Sequence, residues 1–229
     1  MRYYLITFII LFQFSSTSFA QKDTTKKFAI DISTGIGNPL LTNNEGEEFG
    51  MAGIHCSISF IYKPKSHGGW TVFFGITRNS INTASFAAQR NLMTASADAY
   101  YNYESMLGYS FFSDPWKNLT WHIRFLIGIA TVKVPSINGT YSFGNVAGSV
   151  SYSSVMGNSL DLGISTGLKY QFSKHFGSLL DVSYSTATLN FDPSVTTFLG
   201  GGTGMNSRFM NYTTYLDLLK GTIGIEYDF

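Results

Sequence analysis

Large apolar and small or polar residues alternate at a period of two along most of this chain, the pattern of β-strands whose two faces meet different surroundings. Residues 212–229 show it most clearly: Ile223, Ile225, Tyr227 and Phe229 fall on one face, Thr222, Gly224, Glu226 and Asp228 on the other. Seven further segments alternate in the same way, at about 28–37, 52–63, 70–79, 99–112, 119–132, 160–172 and 179–190. In each, one face carries aliphatic and aromatic side chains. The other is mostly Gly, Ser and Thr with isolated charges. No segment has a helical period, so the expectation is an all-β chain of eight strands.

The connections sort by length. Those at 63–69, 113–118 and 173–177 are short and carry the turn residues Pro64, Gly68, Gly69, Pro115 and Gly177. Those at 38–51, 80–98, 133–159 and 191–211 are long. Alternating short and long connections between an even number of strands predict an antiparallel up-and-down barrel, with every short turn at one end. Aromatics gather beside those turns, with Tyr62, Trp70, Trp116, Trp121, Tyr170 and Phe172 forming a candidate girdle.

Composition then decides which face is inside. A soluble barrel keeps its apolar face inward and wets its outer face, and soluble surfaces run to roughly 25–35% charged residues. Here only 13% of the chain is charged, and the polar face is small rather than ionic. Small residues suit a narrow lumen, and large aliphatics suit lipid. The apolar face is therefore expected to point outward, into a membrane.

The first residues fit an exported protein. Arg2 precedes an apolar run at 3–14, and Ser18 and Ala20 mark a cleavage site before Gln21. The run of about 12 residues is too short to span a bilayer as a helix. The expected organisation is a signal peptide at 1–20 and one barrel domain at 21–229. Removing the peptide leaves 14 basic and 14 acidic side chains, so nothing points to nucleic acid. The single cysteine, Cys56, excludes an internal disulfide and a Cys-rich metal site.

Parity places Asp31, His55, Glu104, His122, Arg124, Asp161, Lys169, Asp181, Lys220, Glu226 and Asp228 on the lumen face. An eight-stranded barrel is just wide enough for its side chains to fill, so these charges are expected to pair. Arg124 and Lys220 have Asp31, Glu104, Asp161 and Asp181 as candidate partners. The functional alternative is a gated ion path through a broken pair. The long loops carry Phe86, Leu92 and Met93, then Tyr141, Phe143, Val146 and Tyr152, then Phe198, Leu199, Met205 and Phe209. Such loops suit either a partner surface or a cap packed on itself, and period-two runs at 140–143 and 149–155 could extend the barrel strands as a hairpin above the membrane.

Signal peptide, eight strands, alternating connections and the terminal aromatic residue together resemble the small outer-membrane barrels of the OmpA/OmpX class. Length and the Gln21 start resemble the outer membrane protein beta-barrel families of Bacteroidetes. The resemblance covers residues 21–229 and is architectural. It implies residence in the bacterial outer membrane, contact with its lipid, and insertion by the barrel assembly machinery, with Tyr227 and Phe229 as the assembly signal. A ten-stranded barrel is the alternative if the 133–159 segment enters the membrane. His55 and Ser57, two apart on one face, resemble the His-x-Ser pair of outer-membrane lipid A deacylases. In those enzymes the pair faces the membrane, whereas parity sends His55 and Ser57 to the lumen. The expected function is non-enzymatic, a structural or surface-interaction protein acting on an extracellular or envelope partner through its loops, without metal or cofactor. A small pore or transport accessory is the first alternative.

Overall fold

The computed structural model describes residues 27–43, 50–65, 67–143, 146–199, 206–209 and 211–229. In chain order the elements are β1 (Phe28–Asn43), β2 (Gly53–Lys65), β3 (Gly68–Asn79), α1 (Thr83–Gln89), β4 (Thr94–Ala97), β5 (Tyr100–Trp116), β6 (Leu119–Val134), β7 (Ile137–Phe143), β8 (Val146–Tyr152), β9 (Val155–Gln171), β10 (Phe176–Phe191), β11 (Ser194–Leu199), β12 (Asn206–Phe209) and β13 (Tyr212–Asp228). The signal-peptide segment at 1–20 lies outside the described residues.

Eight strands close a barrel in the order β1-β13-β10-β9-β6-β5-β3-β2, with β1 bonded to both β2 and β13. Each pairing is antiparallel, and ring closure leaves the wall without a free sheet edge. The barrel has eight strands and not ten, because β7 and β8 pair with each other in a separate sheet.

Period two decides what faces outward. Ile32, Ile36, Ile54, Ile127, Leu160 and Ile223 are each more than half exposed on the outer wall. So many large apolar side chains exposed on one continuous surface make sense only in contact with lipid. Among the described residues no helix is long and apolar enough to cross a membrane.

Three of the long connections contain structure, of which alternation announces only the β7–β8 hairpin, through the runs at 140–143 and 149–155. They contribute a five-stranded sheet, in the order β12-β11-β8-β7-β4, standing beyond the barrel's long-loop end. The β7–β8 hairpin therefore joins a separate sheet instead of prolonging β6 and β9. The chain is all-β as expected, with α1 as one short helix inside a long connection. Its seven residues are too few to show a period, and its start is fixed by Asn82, whose side chain accepts a hydrogen bond from the Ser85 backbone N–H at 3.1 Å.

Candidate functional site: the lumen and the sheet above it

The inward face of the barrel holds a chain of ion pairs. Nearest the short turns, Lys169 contacts both Glu226 and Asp228, the latter at 2.5 Å. Lys63 joins them at 2.7 and 3.0 Å. Further in, Arg124 binds Asp31 at 2.7 Å and His122 meets Asp181 at 2.6 Å. Deeper still, Lys220 donates to Glu104 at 2.6 Å, and Ser185 donates to the same oxygen at 2.7 Å. Asp161 lies beside Glu104 and Lys220. All of these groups except Lys63 are buried, and the pairs link strands that the sequence separates by up to 165 residues.

Lys63 is not among the lumen charges expected from parity, although the signal is present. It shares the parity of His55 and Ser59, but stands next to Pro64, where the turn signal begins. Room for the network comes from glycine. A Cβ on Gly167 would collide with Asp181 Oδ1 and with the Leu180 carbonyl of the neighbouring strand. Only the missing side chain lets Asp181 reach His122.

His55 and Ser57 do not engage each other. His55 Nδ1 is bonded to Thr77 Oγ1 at 2.8 Å, and Ser57 Oγ to Ser33 Oγ at 2.7 Å. Both line the lumen, where His55 is almost completely buried. A nucleophile needs its base in hydrogen-bond contact and its substrate within reach; here the hydroxyl and the imidazole are each tied to a different neighbour. Among the described residues no cluster of His, Cys, Asp or Glu is arranged to hold a metal ion.

Open space in the lumen is small. Between Asp31, His55, Arg124, Asp181 and Lys220 a cavity of about 30 Å³ remains, room for about two water molecules. Towards the long loops the inward side chains turn apolar. Tyr100, Val132, Leu189, Phe191 and Leu216 pack as one cluster, with Ile81, Val134 and Val155 against it. The lumen is thus ion-paired over most of its length and narrowed at its long-loop mouth by an apolar cluster interleaved with the buried amides of Asn79 and Asn102.

On the outer wall the girdle residues sit towards the short-turn end. Tyr62, Trp70, Trp116, Tyr170 and Phe172 are exposed, and Trp121 is half-buried with its indole N–H donating to Thr166 Oγ1 at 2.9 Å. Tyr227 packs edge-on against Phe229 at 4.8 Å and against Phe176 at 4.9 Å. Cys56 is exposed on the same wall.

The loop aromatics divide between two roles. Phe86 is buried and meets Tyr152 edge-on at 5.5 Å, which fastens α1 to the five-stranded sheet. Val150 and Ile137 are buried with it, whereas Met93, Val146 and Phe198 stay exposed. The opposite face of the sheet is neutral and hydroxylic. Thr94 is bonded to Thr140 at 2.7 Å across β4 and β7, and Ser151 donates to Asn138 at 2.7 Å across β8 and β7. The side chains of Leu199, Met205 and Phe209 lie outside the described residues.

No protein-family model matches the chain, and no curated protein matches it in sequence. Solved structures do match it in shape. Neisserial surface protein A is 13% identical with a TM-score of 0.53, the match covering 88% of this chain and 97% of that one. A major outer membrane protein from Thermus thermophilus is 14% identical with a TM-score of 0.50, covering 90% of this chain and 100% of that one. Identities this low carry the architecture alone. Closed eight-strand barrel, outward apolar wall and these two likenesses together give this chain the fold of the small bacterial outer-membrane β-barrels.

Proposed function

We propose that this protein is a non-conducting outer-membrane scaffold whose work is done by the five-stranded sheet, as a surface that binds an extracellular or envelope protein. The observation that carries the reading is that three separate outer connections are knitted into one sheet above a lumen filled by ion pairs and apolar side chains. Ordering so many loop residues costs about 1–2 kcal/mol each in backbone entropy. A barrel needed only to sit in the membrane gains nothing from that ordering, whereas a rigid platform lowers the cost of binding. The lumen residues are then scaffold, and the exposed Phe198 with the Thr/Ser face it shares is the contact set.

The test compares the intact protein, displayed on cells, with a variant lacking the β7–β8 hairpin, using crosslinking followed by mass spectrometry. A partner captured by the intact protein and lost from the variant supports the reading. Identical captures from both overturn it.

A further inference from the structure

Antiparallel register brings one row of outward side chains together at the upper edge of the apolar wall. Arg78 on β3 lies opposite Tyr101 on β5, which lies opposite Lys133 on β6. Ile54 and Met156 continue the row on either side, both exposed. Opposed side chains on neighbouring strands stand about 5 Å apart. The two cations therefore flank one tyrosine ring, which stacks in turn on Tyr103 with centroids 6.3 Å apart. Arg78 and Lys133 are exposed, and neither makes an ion pair with a described residue.

Depth gives this row its meaning. Strands rise about 3.4 Å per residue and tilt by about 40° in such barrels, so each residue climbs roughly 2.6 Å along the membrane normal. Arg78 then stands about 20 Å above the girdle residue Trp70 on the same strand. Lys133 stands about 30 Å above Trp121, which sits a few ångströms lower than Trp70 by the same geometry. The two cations bracket the upper limit of a lipid-facing band about 25 Å tall. Below the row come Ile76, Tyr103 and Thr131, and below these Phe74, Ser105, Ile129 and Leu160, a wall that is largely exposed and is apolar apart from the hydroxyls of Tyr103, Thr131 and Ser105. The opposite flank differs. On β13, diametrically across the ring of strands from β5, Asp217 accepts a hydrogen bond from Tyr184 at 2.8 Å. The basic edge is therefore local to one side of the barrel.

We propose that Arg78 and Lys133, with Tyr101 between them, seat the phosphorylated headgroup of an outer-leaflet glycolipid, whose acyl chains lie down the Ile76, Phe74, Ile129 and Leu160 wall. Charge complementarity selects an anion, and guanidinium with ammonium suits a phosphate. Depth selects the lipid, because the cations stand where headgroups lie and hydrocarbon begins immediately beneath.

The test uses the full barrel refolded into phosphatidylcholine nanodiscs. These contain no additive, phosphorylated lipid A, dephosphorylated lipid A, or neutral lipid bathed in inorganic phosphate. Native mass spectrometry reads the bound lipid, and the heating temperature at which the folded band disappears on a gel reads stability. For the unaltered protein, phosphorylated lipid A is retained and raises the midpoint, and the other additives do so much less. In R78Q/K133Q retention falls about tenfold, taking each cation near a membrane surface as worth about a factor of five before losses. R78K/K133R keeps most of it, and D217N on the opposite flank behaves like the parent. Equal retention by R78Q/K133Q and the parent overturns the proposal. So does equal stabilisation by the dephosphorylated lipid or by inorganic phosphate.

Discussion

Lys220 and Glu104 show what single residues contribute inside this barrel. Both are buried, and Ser185 shares the Glu104 oxygen. Replacing one partner leaves the other charge stranded, which costs about 3–5 kcal/mol. Glu104→Gln is expected to lower stability by about 3 kcal/mol, and adding Lys220→Met to recover much of that loss. Urea unfolding in lipid vesicles, followed by Trp fluorescence, measures the coupling; additive effects of the two changes contradict it. Gly167→Ala puts a methyl against Asp181 and the Leu180 carbonyl. A loss of about 2 kcal/mol, typical of overpacking, is expected in the same assay.

At this scale the sequence is informative about side and poor about partner. Inwardness follows from parity, because a strand cannot change face without shifting by one residue. Partner choice follows from the stagger of strands around the closed barrel, which no local pattern carries. Arg124 meets Asp31 from 93 positions away, and Asp161, Asp181 and Glu104 are equally plausible on parity. Lys63 escapes notice at a strand boundary, where parity continues past the point at which the turn signal begins.

Among elements, the membrane strands are legible because they separate lipid from lumen. The outer elements are less so, although the runs at 140–143 and 149–155 mark the β7–β8 hairpin. In β7, β8 and β11 both faces meet protein or water in uneven proportion, so Gly, Ser, Thr and apolar residues mix without a sharp period. The apolar cluster at the mouth is hidden for a related reason. At Leu216, Leu218 and Leu219 both faces of β13 carry leucine, and alternation vanishes where lumen and exterior are equally apolar. Since β6 and β9 already pair as far as Val134 and Val155, an Asn-Gly turn can replace residues 135–154 without disturbing the barrel. That variant should insert and resist unfolding like the parent, as judged by the heat-dependent gel shift. A barrel that fails to form would show that the sheet stabilises the wall beneath it.

For the whole molecule, the proposed scaffold role puts two closures in series along one lumen, an ionic segment and a largely apolar mouth. Planar bilayers holding the protein should carry no steady current. Leu216→Ala with Leu218→Ala thins the mouth alone, so it should also remain closed while the ion pairs persist. A stable conductance in the unaltered protein would refute the closed lumen outright. A current appearing in the leucine variant would show that the hydrocarbon layer is the sole barrier.

The sheet order β12-β11-β8-β7-β4 has a mechanical consequence. Its strands issue from the β3–β5, β6–β9 and β10–β13 connections, so it is tethered to six of the eight wall strands. A pull on any one outer strand passes sideways through hydrogen bonds to the others before it reaches the membrane. Load that would peel a lone hairpin is spread around most of the barrel's circumference. A protein built this way can hold on to something that drags at the cell surface.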